Sequence, residues 1–297
     1  MKIDKVFFSI IIPTYNRADF ILNALNSVFA QTYKNFEVIV VDDGSTDNTE
    51  ALLKGMKDPR FIYIKKENKE RAAARNAGVR MAQGEYITFL DSDDLLYPDH
   101  FETAFHFIGS NNHPEFFHLA YHIKDDKGNL LQKTIPYKGN MNDKIIFGNF
   151  LSCIGVFIRR DIALQHPFNE DRGLSGSEDW ELWVRLCARY PLKYSNTVTS
   201  TMIHHEARSV VTTDKDKIIR RIELLKKYLF EDEAVQLRYG KYKKVVNSDL
   251  YTYLALHLAM TKEYSKEAIK YLALSFKAYP PVILTRRFYA TIKNILF

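Results

Sequence analysis

Apolar positions in the first hundred residues come in short runs separated by amphipathic stretches. Phe7–Pro13 is an apolar run of strand length, the mark of a strand covered on both faces. Asp19–Gln31 then carries Ile21, Leu22, Leu25, Val28 and Phe29 at helical spacing, with Asp19 or Asn16 as the expected cap. Phe36–Val41 reads as a second strand ending at Asp42-Asp43-Gly44, after which Ser45 or Thr46 opens a helix to about Met56. Phe61–Ile64 is a third strand, Arg71–Ala82 a helix closed near Gly84, and Tyr86–Leu90 a fourth strand. This alternation predicts an α/β fold with a mainly parallel sheet and right-handed crossovers. Ligands bind such sheets beyond the carboxyl ends of the strands. Asn16, Asp43 and Asp91 all fall at such ends, which argues for one site.

Beyond residue 110 the rhythm changes. Phe116–Ile123 and Leu130–Lys133 read as strands around an Asp125–Asn129 turn, a hairpin signal, and Gly155–Ile158 as another short strand. Glu178–Arg189 is a helix with Trp180, Trp183, Val184 and Cys187 on one face, and Val198–Ile203 is a last strand before His204-His205. The remainder is helical. Lys217–Phe230 has one apolar stripe, and Tyr251–Thr261 with Lys266–Tyr279 makes a helix pair whose rhythm fits one tetratricopeptide-like hairpin. One copy is not an array, so the pair is expected to serve as a packing element. Pro281–Phe297 joins Arg286, Arg287 and Lys293 to a strongly apolar sequence, which fits either an interfacial helix or docking on its own core.

At 297 residues, 46% hydrophobic and 26% charged, the composition is that of an ordinary globular protein. No apolar run reaches the ~18 residues a bilayer span needs, and the N-terminus does not read as a signal peptide. Cys153 and Cys187 have no metal or redox spacing, so a reducing, cytoplasmic setting is expected. Charge is uneven: residues 213–297 carry 17 Lys+Arg against 9 Asp+Glu, which accounts for the whole net +6. That tail fits attraction to an anionic surface, such as the cytoplasmic membrane face, or a solvated helical face. Nucleic acid is not an expected partner, because the basic residues are not interleaved with aromatics along a strand platform.

The chemistry concentrates in Tyr86–Asp94, where an apolar strand ends in Asp91, Asp93 and Asp94. In an extended chain Asp91 and Asp93 share a face and Asp94 points away. Two convergent carboxylates form a hard oxygen site suited to Mg2+ or Mn2+ carrying a phosphate, although an acidic turn capping the helix after Pro98 is the plainer alternative. The first βα turn has neither G-x-G-x-x-G nor G-x-x-x-x-G-K-[ST], which argues against a dinucleotide dehydrogenase or a P-loop enzyme. It offers Pro13, Thr14, Tyr15, Asn16 and Arg17, groups able to hold a nucleotide.

Ser9–Arg17, Val40–Thr49, Ala74–Gly78, Gly84–Asp94 and Glu178–Trp183, in this order, resemble the family 2 glycosyltransferases over about residues 6–210. The resemblance implies an inverting enzyme of GT-A type: a Rossmann-like, mainly parallel sheet flanked by helices, here with a C-terminal helical extension. Residues 1–212 would be the GT-A domain, with a nucleotide-sugar half (about 1–110) and an acceptor half (about 111–212), and 213–297 the extension. Pro13, Thr14, Tyr15, Asn16 and Arg17 would line the nucleotide; Asp43, beside Asp42, would accept from the base; Arg71 and Arg75 would touch base or phosphate. Asp91 and Ser92 would approach the ribose and diphosphate, and Asp93, with Asp91, would ligate Mn2+ or Mg2+. Asp179 would be the catalytic base with Glu178 beside it, and His204 or His205, at most one of them, would help the metal or diphosphate. Neither Gln-x-x-Arg-Trp nor membrane spans occur, so the resemblance implies a non-processive enzyme. It would transfer one sugar, from a UDP-sugar first of all, to a saccharide, glycolipid or lipid-linked acceptor in cell-surface polysaccharide synthesis. A sugar nucleotidyltransferase and a non-catalytic sugar-nucleotide-binding scaffold are the alternatives.

Overall fold

The computed structural model describes residues 5–132, 136–205 and 214–297. They form two compact units, the first of Met1–Asn142, Phe150–Arg172 and Tyr190–Arg208, the second of Asp143–Asn149, Gly173–Arg189 and Ser209–Phe297.

The first unit is built on one sheet. Its strands are β1 (Phe8–Thr14), β2 (Phe36–Asp42), β3 (Phe61–Lys65), β4 (Tyr86–Phe89), β5 (Leu95–Leu96), β6 (Phe116–Asp125), β7 (Leu130–Gln132), β8 (Val156–Arg159) and β9 (Lys193–His204). They run in the order β3-β2-β1-β4-β8-β6-β9-β5, with β7 hairpinned onto β6. The β3-β2-β1-β4 half is parallel, as the strand–helix alternation predicts, and β8 then runs antiparallel to β4. Helices α1 (Ala18–Phe29), α2 (Thr49–Lys54), α3 (Glu70–Met81), α4 (His100–Ser110) and α5 (Arg160–Gln165) complete this unit.

β1 and β2 are buried along their whole length, which is why their sequences are nearly continuous in apolar residues. One face of the sheet holds an aromatic cluster: Phe8 stacks on Phe101 at 5.3 Å, and Phe117 lies flat on Phe157 at 4.9 Å. Full burial of each such ring contributes roughly 1.5–3 kcal/mol. β9 begins five residues before the sequence expectation, because polar Lys193–Ser195 pairs with Phe117–Leu119 of β6 across a bulge. Ladder bonding, rather than side-chain alternation, makes this stretch a strand. Lys133, placed in a strand from sequence, lies outside the described residues.

The second unit contains α6 (Glu178–Arg189), α7 (Lys215–Glu231), α8 (Glu233–Tyr239), α9 (Lys243–Met260), α10 (Ser265–Ala278) and α11 (Arg286–Leu296). Two segments from before residue 212 therefore belong with the C-terminal helices. α6 buries Leu182, Trp183, Leu186 and Cys187, and Arg189 at its end pairs with Asp232 at 2.9 Å. α9 and α10 form the antiparallel pair expected from sequence, tied by Ser248 Oγ donating to the Ser275 carbonyl at 2.8 Å. Both cysteines are free and buried. Among the described residues no helix is long and apolar enough to cross a membrane.

Candidate active site

Register brings three strand ends of the first unit level with one another: Thr14 of β1 lies beside Asp42 of β2, and Asp42 beside Lys65 of β3. The loops after β1 and β2 are tied together. Asn16 adopts a left-handed φ of 50°, its Oδ1 accepts from Thr46 N at 2.8 Å, and its own N–H donates to Ser45 Oγ at 2.9 Å. Neither Asn16 nor Asp19 caps α1. Asp47 does so from the neighbouring loop, accepting Ala18 N at 3.1 Å through one oxygen and Thr49 N at 3.0 Å through the other. A single carboxylate thus satisfies donors at the start of both α1 and α2. Ser45, expected as a helix cap, is spent on this tie, and α2 starts only at Thr49. Gly44 has φ +84°, and a Cβ there would sit 3.1 Å from Asn68 N, so the turn requires glycine.

Of the paired acids after β2, Asp42 is fully buried and both oxygens are used within the protein, one by Ser45 N at 2.7 Å and the other by the Tyr63 hydroxyl at 2.7 Å. Burial and this bond together push the Tyr63 hydroxyl pKa up. Asp43 holds Lys66 Nζ and the Lys69 amide through Oδ1. Asp43 is buried as well, so both acids are engaged within the protein. Pro13 and Thr14 are buried, and Thr14 Oγ1 finds no hydrogen-bond partner among the described residues. Tyr15 is half exposed beside it.

Tyr86–Asp94 departs from the sequence expectation. β4 stops at Phe89, and Asp91–Asp94 is a turn closed by Asp94 N donating to the Asp91 carbonyl at 3.0 Å. The alternation argument for Asp91 and Asp93 therefore fails, because a turn has no period-two faces. Each acid has its own partner. Asp91 pairs with Arg75 at 2.7 Å, and Arg75 is almost wholly buried, its guanidinium 5.4 Å from the centre of the Phe168 ring. Ser92 is buried within the turn, and Arg71 lies half-buried in the first turn of α3. Asp94 is buried and accepts Ile203 N at 2.9 Å, fastening the turn to β9.

Asp93 Oδ2 lies 3.0 Å from His205 Nε2 and 3.9 Å from the Arg17 guanidinium. The His205 and Asp93 side chains are each 8% exposed, and the imidazole lies nearly flat on Phe20 at 4.7 Å. His205 Nδ1 has no partner among the described residues. His204 is exposed, opposite Asp125 in the β6–β9 ladder, so only His205 reaches the acidic turn. Arg208 and Ser209 lie outside the described residues. Sequence reasoning missed Phe20, Lys66, Asp47 and the anchoring role of Asp94. Only Asp47 carried a local signal, as the third acid in the Asp-Asp-Gly-Ser-Thr-Asp stretch of residues 42–47.

Among the described residues, no group of three or more His, Cys, Asp or Glu side chains is arranged to hold a metal. The Asp93–His205 pair nevertheless suits a hard divalent cation, which typically takes one or two protein ligands and draws the rest from phosphate oxygens and water. His205 Nε2, the ring nitrogen that faces Asp93 Oδ2, is the atom that would share such a cation.

In the second unit, Glu178 and Asp179 open α6. Glu178 is buried and accepts Gly176 N at 2.7 Å. Asp179 is half-buried, accepting Asn149 Nδ2 at 2.9 Å and Trp180 N at 2.7 Å. Trp180 is itself anchored by donating its indole N–H to the Ile145 carbonyl at 2.7 Å. Asp179 is therefore the more accessible carboxylate of the two.

The signature described as Glycosyl transferase family 2 matches residues 9–164. This chain belongs to that family. It is 37% identical over 184 residues to an uncharacterized glycosyltransferase of Rickettsia conorii, a match covering 61% of this chain and 30% of that protein. It therefore spans about a third of that relative's length. It is 31% identical over 221 residues to the Escherichia coli UDP-Glc:alpha-D-GlcNAc-diphosphoundecaprenol beta-1,3-glucosyltransferase WfaP, covering 73% of this chain and 85% of WfaP. The S. aureus TarS 1-349 structure in complex with UDP-GlcNAc aligns with TM-score 0.64 at 18% identity, over 92% of this chain and 91% of that one. A mannosyltransferase from Pyrobaculum calidifontis in complex with GDP-Man and Mn2+ aligns with TM-score 0.59 at 18% identity, over 99% and 88%. The fold is of GT-A type.

Proposed function

We propose that this family 2 glycosyltransferase moves one sugar per encounter from a nucleotide-diphosphate sugar, a UDP-sugar first of all, to a hydroxyl of a saccharide or lipid-linked acceptor. The observation that carries the reading is the cluster of Asp93, on the turn after β4, with His205 after β9 and Arg17 after β1, beyond the ends of the parallel half of the sheet. The WfaP name adds support for a UDP-sugar and a diphospholipid acceptor, and the TarS complex for a UDP-sugar.

In this reading Asp43 accepts the base N–H, while Thr14 Oγ1 and the Asn16–Arg17 loop line the nucleotide. Arg75 holds Asp91 toward the ribose. Asp93 and His205 would hold Mn2+ or Mg2+, which when bound supplies Lewis-acid stabilisation of the leaving diphosphate, with no proton donor needed. Arg17 adds positive charge on the same side. Asp179 takes the proton from the acceptor hydroxyl as the new glycosidic bond forms and the bond to the diphosphate breaks. Attack opposite the leaving group inverts the anomeric configuration. Asn149 and the Trp180 amide orient the Asp179 carboxylate for this task.

The test is a panel of nucleotide sugars assayed for nucleotide release with and without Mn2+. Release from a UDP-sugar that falls by about three orders of magnitude in both Asp93→Asn and Asp179→Asn is expected. Undiminished release in the two variants would sink the assignment, and pyrophosphate formed from a nucleoside triphosphate would point to a nucleotidyltransferase instead.

A further inference from the structure

The last thirty residues combine exposed apolar side chains with an excess of positive charge. α10 packs inward through Ala268, Tyr271 and Ser275. Its opposite face shows Ile269, Ala273 and Phe276, four and three residues apart and so on one stripe. Ile269 is 53% and Phe276 46% exposed, values that a docked helix face would not leave. Lys266, Lys270 and Lys277, all exposed, run along one flank of that stripe. The chain continues through Pro280–Leu284, where Leu284 is 78% exposed, into α11, which ends in exposed Leu296 and Phe297. From residue 268 to the end there are five cations and no acid. The nearest acid before it, Glu267, is paired with Lys215.

We propose that the outer face of α10, with Leu284 and the end of α11, is a docking surface for an anionic lipid bilayer. An interfacial helix buries an apolar stripe at the headgroup–acyl boundary while flanking lysines meet lipid phosphates, and these elements present both. The lysine stems also allow the ammonium groups to reach outward while the stripe goes down. A second copy of this chain is the poorer partner. A twofold interface would bring the same lysine row against itself. Nucleic acid is poorer too, because aliphatic Ile269, Leu284 and Leu296 leave the rings of Phe276 and Phe297 without a continuous stacking platform. The sequence placed the interfacial helix in Pro281–Phe297, at the end of a basic tail over residues 213–297. The structure moves its centre to α10, since α11 turns Thr291 into the interior and pairs Arg287 with Asp249. The inference stands apart from the sugar-transfer chemistry.

The experiment is co-sedimentation of the full chain with vesicles of phosphatidylcholine alone or with one part in three phosphatidylglycerol. The wild type is expected to pellet with the anionic vesicles, less so as salt is raised, and not with the neutral ones. Ile269→Glu, Phe276→Glu and Leu284→Glu combined should lower partitioning by at least about tenfold with an unchanged circular dichroism spectrum. Lys266→Gln, Lys270→Gln and Lys277→Gln combined should erase the preference for anionic lipid. The proposal fails if the wild type does not pellet with anionic vesicles, if the apolar variant pellets as well as the wild type, or if these residues mediate a concentration-dependent dimer without lipid binding.

Discussion

Asp93 combines a carboxylate held on a short turn with an imidazole whose second nitrogen is unsatisfied, so its neighbours are organised without being saturated. Asp93→Asn keeps the shape and removes the charge. It is expected to leave the fold intact and to weaken Mn2+ binding, measured by titration calorimetry, at least about tenfold. Two other histidines are buried for a different end. His100 and His118 are fully inside, each with one ring nitrogen lacking a partner among the described residues, and burial pushes both pKa values down to about 3. In the unfolded chain they take up protons near the ordinary histidine value of about 6.5. Stability is therefore complete above that pH and falls as the solution is acidified below it, by about 2 kcal/mol per ring at pH 5. Urea unfolding at pH 7 and pH 5 should show this loss, and His100→Gln should reduce it by about 2 kcal/mol.

At the scale of elements, Asp47 joins two helix starts and two strand-end loops. Asp47→Ala should cost about 1–2 kcal/mol of stability and weaken nucleotide binding, because the Thr14–Arg17 loop loses its tie, whereas Asp47→Asn should recover most of both. Thermal unfolding and UDP titration would check it. In the core, Phe157→Ala should cost about 3–5 kcal/mol, since that ring lies flat against Phe117 and edge-on to Phe8. The parallel half of the sheet was legible from apolar runs because β1 and β2 are covered on both faces. The turn at Asp91–Asp94 was not, since its geometry is set by bonds to β9 and α3, far away in sequence. For the same reason the cap of α1 was misplaced: the capping oxygen comes from the next loop. The acid–histidine pairing was legible only as an either–or between two adjacent rings, which the observed bond to Asp93 resolves in favour of His205, just past the end of β9.

The whole chain joins a GT-A unit to a helical unit that also takes in α6, the helix carrying Glu178 and Asp179. The resemblance drew its division at residue 212 along the chain, whereas α6 falls in the helical unit, where it buries Trp183, Leu186 and Cys187. If the strand-end turn after β4 is where the diphosphate is gripped, nucleotide binding and cation binding must be linked. Titration of UDP into the wild type and Asp93→Asn, each with and without Mn2+, measures that linkage directly. The account predicts that Mn2+ tightens UDP binding to the wild type at least about tenfold and has little effect on Asp93→Asn. Equal UDP affinity in all four titrations would contradict it.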